Sequence, residues 1–268
     1  MPKLLLVLAC ACALSVSGQA ASQSYPSRPI TMVVPLATGG STDVIGRLMV
    51  EGMRATLGQP VIVENTAGAG GTIGVGRVAR TAPDGYTFLI GQWGTHVASG
   101  AIYPLQFDLL KDLEPIALIA TQPFLIVSRK TLPANNLKES IAWLKANKDK
   151  AMQGNSGIGT PSHVAGIMFQ TAIAPDIPTT DEAGLPGFYF SFWHVLWAPK
   201  GTPKDIIAKL NEAVAKALND PVTHQKLIDL AQEIFPREQL TPETLAAFQK
   251  GEIDKWWPII QAAGIKAQ

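Results

Sequence analysis

Pro35-Leu36-Ala37-Thr38-Gly39-Gly40-Ser41-Thr42-Asp43 separates two patterned stretches of the chain. Before it, Ile30-Thr31-Met32-Val33-Val34 is a short, β-rich apolar run that predicts a buried strand. After it, Val44, Ile45, Leu48, Met49 and Met53 recur at helical spacing. The unit is therefore a strand, a glycine-rich turn and a helix start. Gly39 and Gly40 tolerate positive φ and carry no Cβ, so backbone N–H groups can approach a ligand closely. Ser41 or Thr42 is expected to cap the helix. A helix start carries unpaired donors and a partial positive charge, which suits a carboxylate or phosphate. Most strand-to-helix turns need small residues and bind nothing, so the rest of the chain must carry the functional reading.

The same grammar recurs. Pro60-Val61-Ile62-Val63-Glu64-Asn65 predicts a second strand, followed by Gly68-Ala69-Gly70-Gly71-Thr72 and a helix through Val78 to Arg80. Tyr86 to Gly91 predicts a third strand, leading into a loop at Gln92-Trp93-Gly94-Thr95-His96. Alternating strands and helices imply an α/β fold with a parallel sheet and ligand chemistry at the carboxyl ends of its strands. All three small-residue loops fall on that edge. Ile116 to Ala120 and Phe124 to Val127, broken by Pro123, predict a long extended segment crossing into a second lobe. A helix over Lys138 to Asn147 follows, then a fourth loop, Gly154 to His163, opening a helix over Val164 to Gln170. Thr160 or Ser162 could cap that helix, and Pro161 suits its first turn. Ile173 to Phe188 is rich in proline and glycine and reads as loop. Trp193 to Ala198 is a strand, and helices are expected from Pro203, from Val222 and after Thr241-Pro242.

Composition limits the function classes. Lys3, the apolar run Leu4 to Val16 and the small residues Gly18 and Ala20 have the form of a secretory signal, with cleavage near Ala20. A lipoprotein acceptor at Cys10 is disfavoured by the short apolar run before it. Removing residues 1–20 takes away Lys3, Cys10 and Cys12, leaving balanced charge and no cysteine. Such an exported chain must rest on its hydrophobic core rather than on disulfides. Balanced, scattered charge offers no footprint for nucleic acid or anionic lipid. No later apolar run has transmembrane length.

Catalytic patterns are poor. Gly-Asn-Ser156-Gly-Ile158-Gly misses the nucleophile-elbow pattern at Ile158. Ser41, His163 and Asp43 could be drawn as a triad, but three common residue types establish nothing without geometry. His96, His163, His194 and His224 lack metal-ligand spacing. Gly74-Val-Gly-Arg-Val-Ala79 matches a loose dinucleotide fingerprint but is expected inside a helix, where it cannot cradle phosphate. Trp256-Trp257 reads as packing of the last helix onto the body. Neither catalytic residue, metal nor cofactor is expected.

Tyr25-Pro-Ser-Arg-Pro-Ile-Thr31, Gly39-Gly40 with Asp43, Leu57-Gly-Gln-Pro-Val-Ile-Val-Glu-Asn65, Gly68-Ala-Gly-Gly71, Pro83-Asp-Gly-Tyr-Thr-Phe-Leu89, Gly94-Thr-His96, Gly159-Thr-Pro-Ser-His163, Glu182-Ala-Gly-Leu-Pro-Gly-Phe188 and Ala198-Pro-Lys-Gly-Thr-Pro203 together resemble the Bug family. These are the periplasmic solute-binding receptors of tripartite tricarboxylate transporters. The resemblance covers nearly all of the chain after the signal, in order. It implies a two-lobed, type II periplasmic-binding-protein-like fold acting as a monomer. A small carboxylate or amino acid would be held by backbone amides, hydroxyls and bridging waters, then passed to a permease of one large and one small membrane subunit. Carried over position by position, the ligand-binding set is Thr38, Gly39, Gly40, Ser41 and Asp43 from the first loop. Gly159, Thr160, Pro161, Ser162 and His163 come from the second lobe, with Gly70, Gly71, Gly94 and Thr95 as a wall.

The chain departs from the family pattern after Gln170. Family members continue with further strands and helices, whereas here Thr171 to Thr179 joins directly to the late proline-rich segment. An internal deletion is expected after about residue 172. The organisation would be a signal over 1–20, first-lobe sequence over 21–122, a shortened second lobe over 123–188 and a return to the first lobe over 189–268. A second lobe of about 65 residues is marginal as an independent core. A degenerate paralogue that contacts a sensor or permease without a tight ligand site is therefore a rival reading, and a hydrolase using Ser41 or Ser156 a more distant one.

Overall fold

The computed structural model describes residues 24–154, 161–172, 179–180, 184–185 and 191–266. β1 (Ile30–Val34) is flanked by β2 (Val61–Asn65) and β3 (Thr87–Gln92), both parallel to it. β1 reads as a continuous apolar run because both its faces are covered, as parallel strands between helical layers require. β4 (Leu113–Pro123) carries the chain to the same edge at which β1, β2 and β3 end. Two short strands, β5 (Thr179–Thr180) and β6 (Gly184–Leu185), pair in parallel apart from the main sheet. β7 (Ser191–Pro199) and β8 (Glu233–Ile234) complete a six-stranded sheet of order β2-β1-β3-β7-β4-β8.

The sheet is mixed rather than parallel throughout, because β7 runs antiparallel to both β3 and β4. The cause is topological. β4 ends at Pro123 on the carboxyl edge, directly opposite Ser191, so the intervening residues begin and end at one edge and β7 must run back from it. Hydrophobic patterning does not encode direction, so only the connection could reveal it. The extended segment expected over Phe124 to Val127 does not continue β4. Pairing with β7 stops at Pro123, and Leu125 and Val127 beyond it are 80% and 84% exposed.

Helices cover both faces. α1 (Ser41–Leu57) turns Ile45, Met49, Met53 and Leu57 onto the sheet at four-residue spacing and stops at Gly58, a left-handed C-cap whose N–H bonds Arg54 O. α2 (Thr72–Ala79) contains Gly74 and Gly76, so the loose dinucleotide pattern does lie inside a helix. Gly94–Ala98 forms a wide, π-type helical turn that runs into α3 (Ser99–Ile102), where an open loop was expected. It is held by side chains: Thr95 Oγ1 accepts from the Gln92 N–H at 3.0 Å, and the Gln92 side-chain oxygen accepts from the Gly94 N–H. α4 (Leu137–Ala146) is capped by Asn136, and α5 (Pro161–Ala172) follows it. Ile207, Leu210, Val214 and Leu218 of α6 (Lys204–Asn219) are buried, and Asp220 caps α7 (Pro221–Asp229). α8 (Pro242–Ala262) starts on Thr241 and buries Leu245, Ile253, Trp256 and Ile260.

One hydrophobic cluster joins Ile30, Met32, Phe88 and Ile90 of the sheet to α1, α6 and α7. A second joins Val33, Leu89, Val195 and Trp197 to α2, the turn after β3 and α8. The sheet is thus sandwiched between two helical layers. Trp256 packs edge-on against Trp93 with ring centroids 5.6 Å apart, and Trp257 donates to Val97 O, as expected of a tryptophan pair used for packing. Among the described residues no helix is long and apolar enough to cross a membrane.

Candidate ligand-binding site

α1 begins directly after the exposed loop 37–40. Its N-cap is Gly40, which has no side chain to offer, so the caps expected of Ser41 and Thr42 are not formed. Val44 N–H makes the first helical bond, to Gly40 O, at 3.0 Å. The amides of Ser41, Thr42 and Asp43 precede it and have no acceptor within the helix, the condition that makes a helix start an anion site. Thr38, Gly39, Gly40 and Ser41 are exposed around these donors, while Thr42 and Asp43 are buried beneath them.

Asp43 holds the loop in shape. Its carboxylate accepts from the Gly39 N–H at 2.9 Å, from Asn65 Nδ2 at 3.0 Å and from Arg47 Nε at 3.1 Å. Asn65, at the end of β2, also donates to Leu36 O at 3.1 Å, so both ends of the turn are tied. Burial alone would raise the Asp43 pKa, but these hydrogen bonds and the Arg47 charge outweigh it and hold the group below the usual carboxylate range. The carboxylate is committed to the loop, which makes Asp43 a brace for the helix start. Asp43→Ala would leave the Gly39 amide and Asn65 unsatisfied. It should cost about 2–3 kcal/mol, read as a lower urea midpoint. Arg47 is half exposed, so its ion pair adds little to that figure. An unchanged midpoint would contradict the brace.

The other loops converge on this edge. A Cβ on Gly71 would come within 3.1 Å of Pro35 O and collide with the Thr95 methyl, so the loops after β1, β2 and β3 touch at a point that tolerates no side chain. Gly94 is pressed in the same way against Pro161, whose Cδ would lie 2.9 Å from an added Cβ. Pro161 is buried and starts α5, so the fourth loop's helix abuts the turn after β3. Gly70 sits half-buried over the Tyr103 ring. Gly94 and Thr95 are fully covered. The Thr95 hydroxyl is spent within its own turn, bonding Gln92 N and O at 3.0 Å and His96 Nδ1 at 2.8 Å. Ser162 and His163 are half-buried in the first turn of α5 and both are engaged by neighbours. Gly159 and Thr160 lie outside the described residues. A groove lined by Glu51, Arg54, Gly58 and Pro60 is at the opposite end of α1, away from every loop named here.

Two buried histidines passed over in the sequence flank this edge. His194, on β7 opposite Gln92, places Nε2 3.4 Å from Thr42 Oγ1. His96 stacks on Trp197 at 5.6 Å with rings 9° apart. Both are 0% exposed, and burial lowers each pKa to about 3, so both imidazoles are neutral. In the sequence His194 lay in a predicted strand and His96 in a predicted loop, neither with metal-ligand spacing. Among the described residues no cluster of histidines and carboxylates has the make-up of a metal site.

A sheet of this kind takes its ligands at the carboxyl ends of its strands, where these loops converge. The sequence profile of the "Tripartite tricarboxylate transporter family receptor" matches residues 45–174 and 169–265. The chain is 32% identical over 301 aligned positions to an Agrobacterium vitis protein, "UPF0065 protein in the TAR-I ttuE-ttuC' intergenic region", covering 91% of this chain and 87% of that one. Those positions outnumber the 268 residues here, so the alignment carries gaps in this chain. The periplasmic binding protein BugD superposes with a TM-score of 0.82 at 34% identity, covering 91% of this chain and all of that one. MatC of Rhodopseudomonas palustris, solved with bound malate, superposes at 0.80 with 33% identity, covering 88% of this chain and 100% of that one. The chain belongs to the tripartite tricarboxylate transporter receptor family, the Bug proteins, and has their binding-protein fold. The family is one of transporter receptors, and BugD is a periplasmic binding protein.

Proposed function

We propose that this chain is an extracytoplasmic receptor that captures a small carboxylate and delivers it to a two-subunit membrane permease. The observation that carries the reading is the start of α1, where the Ser41 and Thr42 amides stand without helical acceptors under an exposed glycine loop. A carboxylate there would meet the positive end of the helix, with the Gly71, Thr95 and Pro161 surfaces beside it. Malate in MatC supports the ligand class. Export by a signal over residues 1–20, which lie outside the described residues, agrees with the naming of BugD as periplasmic.

The second lobe in this reading is a shortened one, between Pro123 and Ser191. The profile match in two stretches that meet at 169–174, where the family pattern was seen to break, supports it. So do the gaps against the Agrobacterium protein. The same shortening favours a second reading, an interaction protein without a tight ligand site. A thermal melt separates the two, using protein purified from the periplasm of cells expressing the full chain. With a panel of mono-, di- and tricarboxylates and amino acids, a ligand at a hundred times its Kd should stabilise by about 2.7 kcal/mol, or roughly 5–10 °C. A cooperative melt that no member of the panel shifts would favour the interaction protein.

A further inference from the structure

The polypeptide leaves the sheet at the end of β4 and re-enters it at the start of β7, and pairing between the two strands stops at Pro123 and Ser191. Phe124 is the first residue past that end. Its ring meets Phe192 edge-on, with centroids 5.9 Å apart and planes at 78°. Phe192 and His194 stand two residues apart on β7, so their side chains share one face of the strand. Their rings meet edge-on in turn, at 4.8 Å and 81°. His194 then places Nε2 3.4 Å from the hydroxyl of Thr42, in the first turn of α1. Every step from Phe124 to Thr42 is a direct contact, and Phe192, His194 and Thr42 are all buried.

The imidazole has a single polar tie. Its other nitrogen, Nδ1, is buried without a hydrogen-bond partner among the described residues. A histidine is ordinarily oriented by the bond its second nitrogen makes. Here that task falls to the ring of Phe192, which Phe124 backs in turn. Thr42 belongs to the helix start whose amides have no helical acceptor, so the setting of His194 bears on the donors a ligand would meet. We propose that Phe124, Phe192 and His194 are positioning residues for the carboxylate site. They carry the placement of the segment between β4 and β7 to the first turn of α1. Close-packed rings move as a unit rather than deform, so a displaced Phe124 is felt at Thr42. The coupling is reciprocal, and a carboxylate held at the start of α1 would fix the setting of Phe124, the root of that segment. The link to a ligand rests on the receptor reading above, whereas the ladder of contacts does not.

The test is nuclear magnetic resonance of the ¹⁵N-labelled protein at pH 7, with variants that leave the buried residues alone. Phe124→Leu removes the ring edge and should shift the Ser41 and Thr42 amide resonances. Phe124→Tyr keeps the ring and should leave them in place. Leu125→Ala, at the exposed neighbouring position, alters the same segment but no ring of the ladder and should also leave them in place. Unmoved amides in Phe124→Leu, or an equal shift in Phe124→Tyr or Leu125→Ala, would overturn the proposal, since a merely structural role would not single out the ring. Malate serves as the ligand probe. If the wild type binds it, Phe124→Leu should bind about threefold to tenfold more weakly, and Phe124→Tyr should bind as the wild type does. Equal affinity in Phe124→Leu would overturn the coupling to the site. Failure of the wild type to bind malate would count against the receptor reading, while the ligand-free spectra still decide the ladder.

Discussion

Between pH 7 and pH 5 the protein should lose about 4 kcal/mol of folding stability, and His96 and His194 should account for nearly all of it. Both imidazoles are fully buried with pKa values of about 3, against an ordinary value of 6.5. Below the ordinary value the unfolded chain takes up two protons that the folded chain refuses. Their contribution is therefore intact above pH 6.5 and falls as pH drops toward 3, at about 1.4 kcal/mol per pH unit for each histidine. Asp43 acts in a different window. Its depressed pKa contributes stability above the ordinary carboxylate value and loses it only as pH falls through the folded value, so it adds no slope between 5 and 7. Urea midpoints measured across this range should give the slope, and His194→Gln should halve it whatever it does to absolute stability. A flat profile, or a slope unchanged in His194→Gln, would show that the imidazole titrates freely in the folded protein.

Ser41→Pro should leave the fold intact and abolish carboxylate binding. Ser41 is the first residue of α1, the one helical position at which proline is favoured because its missing N–H is an orphan already. Gly40 before it has φ −73° and ψ 166°, the extended geometry that a residue preceding proline requires. The substitution thus removes one ligand-facing amide and the hydroxyl, and sets a pyrrolidine ring where the anion would sit, with no helical bond broken. The melting temperature should stay within about 3 °C of wild type, while affinity should fall by at least a hundredfold, the loss of a charge-assisted hydrogen bond plus a steric block. Titration calorimetry against the best ligand of the panel reads the outcome. Retained affinity in a folded Ser41→Pro protein would remove the first loop from the site.

The strand, loop and helix at 30–57 were legible because each carried a local signal. Ile30 to Val34 is an apolar run, Gly39 and Gly40 interrupt it, and Ile45, Met49 and Met53 restart with helical spacing. Gly58, which stops the helix in a left-handed conformation, is likewise a local signal. What the sequence concealed was set by contacts distant along the chain. Asp43 entered the ligand-binding set through the family resemblance of Gly39-Gly40 with Asp43, which carries no record of its hydrogen bonds. Only Asn65, twenty-two residues away, and the Gly39 amide show that its oxygens are already taken. Thr95 was expected in a loop forming a wall of the site, yet its hydroxyl closes a helical turn on Gln92. The direction of β7 followed from where β4 released the chain, which periodicity does not report. His194 carried no recognisable spacing, since its partner Thr42 comes from α1, 152 residues away.

In the proposed receptor the amides opening α1 hold the carboxylate. The most direct measurement follows the backbone amide resonances of the ¹⁵N-labelled protein as the carboxylate giving the largest melting shift is added. Ser41 and Thr42 should show the largest downfield movements and saturate together with Gly40. Saturating shifts centred elsewhere, with Ser41 and Thr42 unmoved, would contradict that placement.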